Sequence, residues 1–565
     1  MKKLKLTYVL PLLPLSVVYV GYVVYPLAET VRESLQVNGE FSFSNYFDIL
    51  NPNNSATFEA VWNSVLVSLL SVVFSCVVGV FLAFVLTQCD FPLRKLLSRL
   101  AVLPIALPPL VGVIAFLFVF GESGILPRVV QKIFGYGGSA VSLDGFSAIV
   151  AVHTYSFYVY FYLFVSTSLR NLDASQLEAA QTLGSSTWKT IRQIILPELK
   201  PALLGASILT FMASMASFSA PLLFAGAKRF MTLQIYNAKL NGELNVASAL
   251  AVGLAVVSIL FFVVLKYISP QSSGTRKSKG VSRTGVLPLS NTVRFVMIAL
   301  SVLLLSVELL PILVIILISF AKEGSWTWQI IPTAYTEENY SKLLSDAQVF
   351  DPIINSVMMS VVTVLASVLV GVSFAYLLSK GSLRRSKFAG DMLVTLPFAI
   401  PGTVIAIALI LAFNKPSIFA AQTVLVGTFW ILPLAYFIRM FPLVVRSTSA
   451  SLEQLDDSLL EAGQTFGAGV WRRFRKIVLP FILPGIVSGA LLVMITALGE
   501  FVSSILLYTY SNRPISVEIL AQMRTYNFGA AAAYSVLLLG LILVLTYLSN
   551  LIVKRKEFSG ESSTL

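Results

Sequence analysis

Two stretches of this chain carry the residue types that could act by contact, and they are copies of one another. Glu178-Ala179-Ala180-Gln-Thr-Leu-Gly184 runs on to Ile194-Ile195-Leu196-Pro197 and Pro201. The same spacing recurs 283 positions later, from Glu461-Ala462-Gly463-Gln-Thr-Phe-Gly467 to Ile477-Val478-Leu479-Pro480 and Pro484. Eleven of 24 aligned positions are identical without a gap, which marks a duplicated structural unit. A carboxylate beside small side chains has no acid, base or nucleophile to work with. It suits close approach of another surface that offers a basic group. Leu177 to Leu183 reads as a short helix ended by a left-handed Gly184, with Ser186 or Thr187 capping a second helix. Trp188, Ile191, Ile194 and Ile195 stripe that helix, and Pro197 is expected to stop or kink it. The second copy repeats the stripe with Trp471, Phe474, Ile477 and Val478 but has a weaker cap, Ala468-Gly469-Val470. A helix lying on the membrane surface would explain the stripe and not the Glu-Ala-small start. Docking on a partner with two equivalent sites explains both.

Other chemistry is sparse. Between Gly184 and Lys189-Thr190, Trp188 stands where a phosphate-binding loop needs its second glycine, so nucleotide hydrolysis falls to another polypeptide. Glu500, at the position matching Ser217 of the first copy, is an intramembrane carboxylate. It reads either as lining or gating a pathway or as a buried pair with a neighbouring helix. Glu308 could snorkel, pair or act. His153, the single histidine, reads as a hydrogen-bonding residue of the core. Cys76 and Cys89 suggest neither a disulfide nor a metal site, and no His/Cys/carboxylate group has metal-ligand spacing.

The elements that must hold these residues are membrane helices. Of 565 residues 56% are hydrophobic and only 12% charged, more apolar surface than a soluble chain could bury. Twelve runs meet the length of a membrane span: 6–28, 61–87, 100–120, 146–169, 202–225, 246–269, 292–320, 353–379, 391–413, 420–442, 485–508 and 530–553. The basic start resembles a signal peptide, but its apolar run is long and lacks a small-residue cleavage site, so it reads as a retained first span. Counted between these spans, 29 of the 40 Lys and Arg fall on one side, Arg439 among them, which places both termini in the cytoplasm. The net charge of +13 therefore reports topology, not nucleic-acid binding. Further echoes join the halves: Leu103-Pro-Ile-Ala-Leu-Pro108 with Leu396-Pro-Phe-Ala-Ile-Pro401, and Asn63-Ser-Val with Asn355-Ser-Val. The expected organisation is a first half at 1–269 with the repeated loop at 170–201, a linker rich in Ser, Gly, Lys and Arg at 270–291, and a second half at 292–565 with the repeated loop at 443–484.

The pattern Glu-Ala-Ala, three residues, Gly, nine residues, Ile-x-Leu-Pro resembles the signature loop of importer permeases of the ATP-binding-cassette (ABC) superfamily. Both copies fit, Gly463 being the one mild departure. The resemblance implies an all-α polytopic protein of type I importer fold, with twelve transmembrane helices in two homologous six-helix halves. It also implies that 178–184 and 461–467 are coupling helices seated on two copies of a cytoplasmic ABC ATPase. That partner would use ATP and magnesium, and an extracytoplasmic substrate-binding protein would deliver the cargo. This chain itself would bind no cofactor or metal. The strings Ala216-Ser-Phe-Ser-Ala-Pro221, Thr232-Leu-Gln-Ile-Tyr236, Gly499-Glu-Phe and Arg513-Pro-Ile-Ser-Val517 look like the fused permeases of the ferric-iron and thiamine type. This favours ferric iron as cargo, with thiamine, polyamine or phosphonate as alternatives. An ion-coupled secondary transporter is the rival class.

Overall fold

Hydrocarbon offers no partner to a free N–H or C=O, so the apolar runs pair their backbones internally and form helices. The computed structural model describes residues 12–52, 55–135, 142–172, 174–268, 290–379 and 387–561; all but the last two residues of the expected linker, 270–291, lie outside them. Ten helices are long and apolar enough to cross a membrane, and a pair bent by 101°, Leu393–Ala399 and Gly402–Phe413, brings the number to eleven among the described residues. These answer to the second through twelfth expected spans. The first is described from residue 12 on, as the helices Leu12–Tyr19 and Tyr25–Ser34 joined by a π turn at Val20–Val24.

Several expected spans are corrected by breaks that apolarity cannot reveal. The stretch 100–120 becomes a helix only at Pro109–Phe120, and 391–413 is the bent pair. At both places a proline, Pro108 or Pro401, holds an extended backbone (ψ of 136° and 145°) at the start of the new helix. The echoed Leu-Pro-x-Ala-x-Pro string is thus a repeated helix break. The runs 202–225 and 485–508 also break, their helices ending at Met215 and Leu498. The expected 420–442 lies at Ile431–Gln454 instead. That shift carries Arg439 from the end of a span into its interior, so it is no topological charge.

Two compact units divide the chain, and they are not the two sequence halves. One comprises residues 1–45, 235–252 and 337–565, the other 46–234 and 253–336. In the first, the opening helix of the chain packs on elements of the second half: the Tyr22 hydroxyl donates to the Phe419 carbonyl at 2.8 Å, and Tyr22 and Tyr25 lie 6.0 and 6.2 Å from the Phe413 ring. In the second, the helix Asn291–Ser319 packs on Pro109–Phe120. The loop after it is pinned there by Trp326, 5.2 Å from Phe118, and by Arg128, which donates to the Thr327 carbonyl at 2.8 Å and to that of Gln329. Each half's opening helix therefore packs among the later helices of the other half.

One packing seam occurs twice. On the helix Ser55–Gln88, Ser64, Ser68, Ser71 and Ser75 are buried and precede Gly79; on Ala347–Ser379, Ser356, Ser360, Thr363 and Ser367 precede Gly371. The register between the two series is 292 throughout. Small residues let helix backbones approach where no hydrophobic force separates protein from lipid. A methyl group on Gly79 would overlap the Tyr158 carbonyl and Phe161 of the helix Gly145–Arg170. One on Gly371 would lie 2.9 Å from Val444 and 3.4 Å from the Phe441 carbonyl.

Candidate functional site

The duplicated loops fold alike. The helices Ala174–Thr182 and Asp457–Thr465 end at Gly184 (φ 72°) and Gly467 (φ 75°), left-handed as expected. The Ser185 and Ala468 amides close the ends on the Ala180 and Gly463 carbonyls at 2.9 and 3.0 Å. The Ser186 hydroxyl caps the next helix by accepting the Lys189 amide at 3.3 Å, whereas Gly469 offers no side chain in the second copy. A β-carbon at Gly463 would sit 2.9 Å from Ile477 Cδ1, the movable end of that side chain. Of the two expected outcomes, a stop or a kink, Pro197 and Pro480 do not produce the stop. Each follows a π turn, Ile191–Ile195 or Phe474–Val478, and the helix continues into the span. The shifted π register accommodates the missing proline N–H.

Burial divides each loop into a root and a face. In the first, Leu177 and Ile195 join the core cluster that includes Leu86, Tyr162, Leu169 and Leu199. Glu178, Ala179 and Gly184 are exposed and Ala180 is buried. In the second, Glu461, Ala462 and Gly467 are exposed and Gly463 half-buried. Beyond them Leu183 and Phe466 are 85% and 89% exposed, and Trp188 and Trp471 71% and 72%.

The broken fifth spans are the second repeated device. The Ser64 hydroxyl accepts the Met231 amide at 2.9 Å, and that of Ser356 the Ile515 amide at 2.8 Å, each capping the first residue of a short helix. Asn63 and Asn355 donate beside them to the Arg229 and Arg513 carbonyls at 2.9 and 3.1 Å. The echoed Asn-Ser pair is thus a clamp on a distant segment. At the breaks themselves, the Thr232 hydroxyl donates to the Ser217 carbonyl (2.8 Å) and that of Ser516 to the Glu500 carbonyl (2.7 Å).

On this common scaffold only the second half carries charge. Glu500 is 7% exposed; Oε2 accepts from Arg439 Nη1 at 2.8 Å and Oε1 from the Ser503 amide at 2.8 Å. At the 283-residue offset, Arg439 and Glu500 answer to Ser156 and Ser217. Sequence reasoning missed Arg439 because it placed the residue at the end of a span and counted it as a topological charge. Of the two readings of Glu500, the buried pair is the one the structure displays.

His153 is buried, as expected of a core residue. Its Nδ1 lies 3.0 Å from Ser71 Oγ and 2.9 Å from Ser214 Oγ, tying three helices together. Glu308 is half-buried, and its Oε2 has no hydrogen-bond partner among the described residues. No group of three or more His, Cys, Asp or Glu fit to hold a metal occurs among the described residues.

A protein of duplicated, broken membrane helices with matched loops is a transport subunit, and comparison with known proteins specifies which. The chain belongs to the family described as binding-protein-dependent transport system inner membrane component, whose model matches it twice, over residues 75–273 and 367–558. It is a multi-pass inner-membrane permease subunit of an ABC importer, and the secondary-transporter reading falls. Among its relatives is the "Probable ABC transporter permease protein y4fN" of Sinorhizobium fredii, 28% identical over 82% of this chain and 81% of that protein. Another is the ferric transport system permease protein FbpB of Actinobacillus pleuropneumoniae, 27% identical over 88% and 71%. A solved bacterial ABC transporter involved in import of the acidic polysaccharide alginate aligns with 47% of this chain and 96% of its own, at 17% identity and a TM-score of 0.39.

Proposed function

We propose that this chain forms the translocation path of an ATP-driven importer of ferric iron, with both termini cytoplasmic and the helices at 178–184 and 461–467 docked on two copies of an ABC ATPase. The observation that carries the docking is the matched exposed face of the two loops: a carboxylate, Glu178 or Glu461, with an apolar residue five positions on and a tryptophan ten positions on, all in the open. Large apolar side chains repeated at equivalent surface positions mark an interaction site. In the first loop Leu177 and Ile195 root the exposed face in the core of the spanning helices, and in the second Val478 is the buried residue of the π turn, so a push on either face is passed to the bundle. When ATP and magnesium close the partner subunits, that closure biases the spans between two access states. Cargo arrives on a substrate-binding protein at the opposite face. Ferric iron is favoured by the resemblance of the fused halves and by the ferric transport permease among the relatives.

The test is Glu178→Lys combined with Glu461→Lys, which sets a like charge against a basic groove. Co-purification of the ATPase is expected to fall at least tenfold, and uptake of labelled ferric iron to be lost, with the amount of permease in the membrane unchanged. Undiminished co-purification and uptake by the double variant would overturn the docking, and unchanged iron uptake on deleting the permease would overturn the cargo.

A further inference from the structure

The Arg439–Glu500 pair is satisfied on one side only. Both carboxylate oxygens of Glu500 are engaged, by Arg439 and by the Ser503 amide, and the residue is 7% exposed. Arg439 uses one N–H of its five for Glu500, has no other hydrogen bond among the described residues, and keeps a quarter of its side chain exposed. A pair present only to neutralise charge in the membrane would saturate both partners, because each unsatisfied donor there is costly. Here each carboxylate oxygen has a partner, whereas four of the five guanidinium N–H groups have none among the described residues.

The neighbours of the guanidinium share its sign preference. Nη1 lies 3.0 Å from where a β-carbon on Gly402 would sit, so glycine leaves the guanidinium room beside the backbone. Gly402 opens the twelve-residue helix Gly402–Phe413 just after the 101° bend. The Val404 and Ile405 amides donate to the Pro401 carbonyl at 3.0 and 3.2 Å, which leaves the Gly402 and Thr403 amides without an intrahelical acceptor, and the helix dipole favours an anion. Ser503 Oγ borders the same point at 3.0 Å. Thr403, in the first turn, is fully buried, and its hydroxyl has no partner among the described residues. The Ser503 hydroxyl is spent on the Gly402 carbonyl at 3.4 Å, so the guanidinium, the two open amides and the Thr403 hydroxyl are the donors that match the oxygens of an oxyanion.

We propose that Arg439 and the first turn of Gly402–Phe413 form an oxyanion subsite in the second half, at which the cargo, or a small ligand travelling with it, presents a sulfate, phosphate, carbonate or carboxylate group in competition with Glu500. The subsite rests on the importer reading and not on the choice of iron. Glu500 then holds the guanidinium in place until an oxyanion replaces it. The first half, with serines at both matching positions, offers no such charge.

The experiment follows thermal unfolding of the whole permease–ATPase complex in a maltoside detergent, titrated with sodium sulfate or sodium phosphate against sodium chloride at matched ionic strength. Wild type is expected to rise in Tm saturably with the oxyanion, Arg439→Gln to show no rise, and Arg439→Lys to need a higher concentration. Glu500→Gln, which keeps the guanidinium and removes its competitor, is expected to half-saturate at a concentration at least threefold lower; this variant decides the matter if Arg439→Gln does not fold. Equal responses in wild type, Arg439→Gln and Glu500→Gln would overturn the subsite. So would an Arg439-dependent rise given by phosphatidylglycerol and by neither soluble oxyanion, which would assign the guanidinium to lipid. Labelled iron uptake, measured separately, distinguishes the readings: an oxyanion response without iron uptake removes iron and keeps the subsite, and iron uptake without the response does the reverse.

Discussion

The Ser64 hydroxyl accepts the backbone N–H of Met231 at 2.9 Å across 167 residues of chain, and Ser356 accepts that of Ile515 at 2.8 Å across 159. A cap of this kind fixes where a short helix starts without any contribution from the helix itself. Loss of a hydroxyl cap costs about 0.5–2 kcal/mol. Ser64→Ala and Ser356→Ala should each speed amide exchange at Met231 or Ile515 respectively and leave the other site unchanged. Exchange unaffected at both would show that the clamps hold nothing.

Removing one partner from the buried ion pair should be worse than removing both. Arg439→Gln or Glu500→Gln alone leaves an uncompensated charge, at a cost of about 3–5 kcal/mol. The double substitution removes both charges and should recover part of the Tm lost by either. Additive losses in a double-mutant cycle would show that the two side chains do not interact.

The seam at Gly79 should tolerate no side chain. Gly79→Ala sets a methyl group on the Tyr158 carbonyl, which has nowhere to go, and overpacking of this sort costs about 1–3 kcal/mol. Gly371→Ala meets mainly the Val444 side chain and should cost less. Gly540→Ala, with nothing within 4 Å, should be neutral or slightly stabilising. Thermal unfolding of the three variants in detergent gives the order, and an equal fall in Tm for all three would refute the seam.

On the docking face, Trp188→Ala and Trp471→Ala remove rings that are 71% and 72% exposed, the second also losing a surface stack on Phe474. Permease Tm should stay within a degree or two, while ATPase co-purification falls severalfold in each and further in the double variant. Full co-purification would show that the tryptophans face water or lipid in the complex.

Gly184→Ala and Gly467→Ala place a β-carbon in the left-handed region, at about 1 kcal/mol each. Neither residue has a neighbour within 4 Å, so the effect should appear as fraying of the loop helices in amide exchange and weaker ATPase retention, with the global Tm unmoved.

What the sequence determined by itself is whatever follows from local pattern. Apolar runs set the approximate places of the spanning helices, eleven of the twelve expected being found among the described residues, because the bilayer demands a fixed length of paired backbone. The 283-residue repeat set the two loops, and the glycine that ends each loop helix was legible because few residues accept positive φ. The Asn-Ser echo was visible too, although its purpose was not.

The tertiary structure decided whatever depends on a partner far along the chain. Apolarity is blind to direction, so it ran straight through the breaks at Pro108, Pro401, Ala216 and Gly499 and misplaced the helix Ile431–Gln454 by eleven residues. That error left Arg439 at the end of a span as a topological charge and hid its pairing with Glu500, 61 residues away. The exchange of opening helices between the halves was equally invisible, because a spanning helix carries no mark of which neighbours will bury it. Hydropathy is a property of a segment, whereas a hydrogen bond or an ion pair belongs to two residues that only packing brings together.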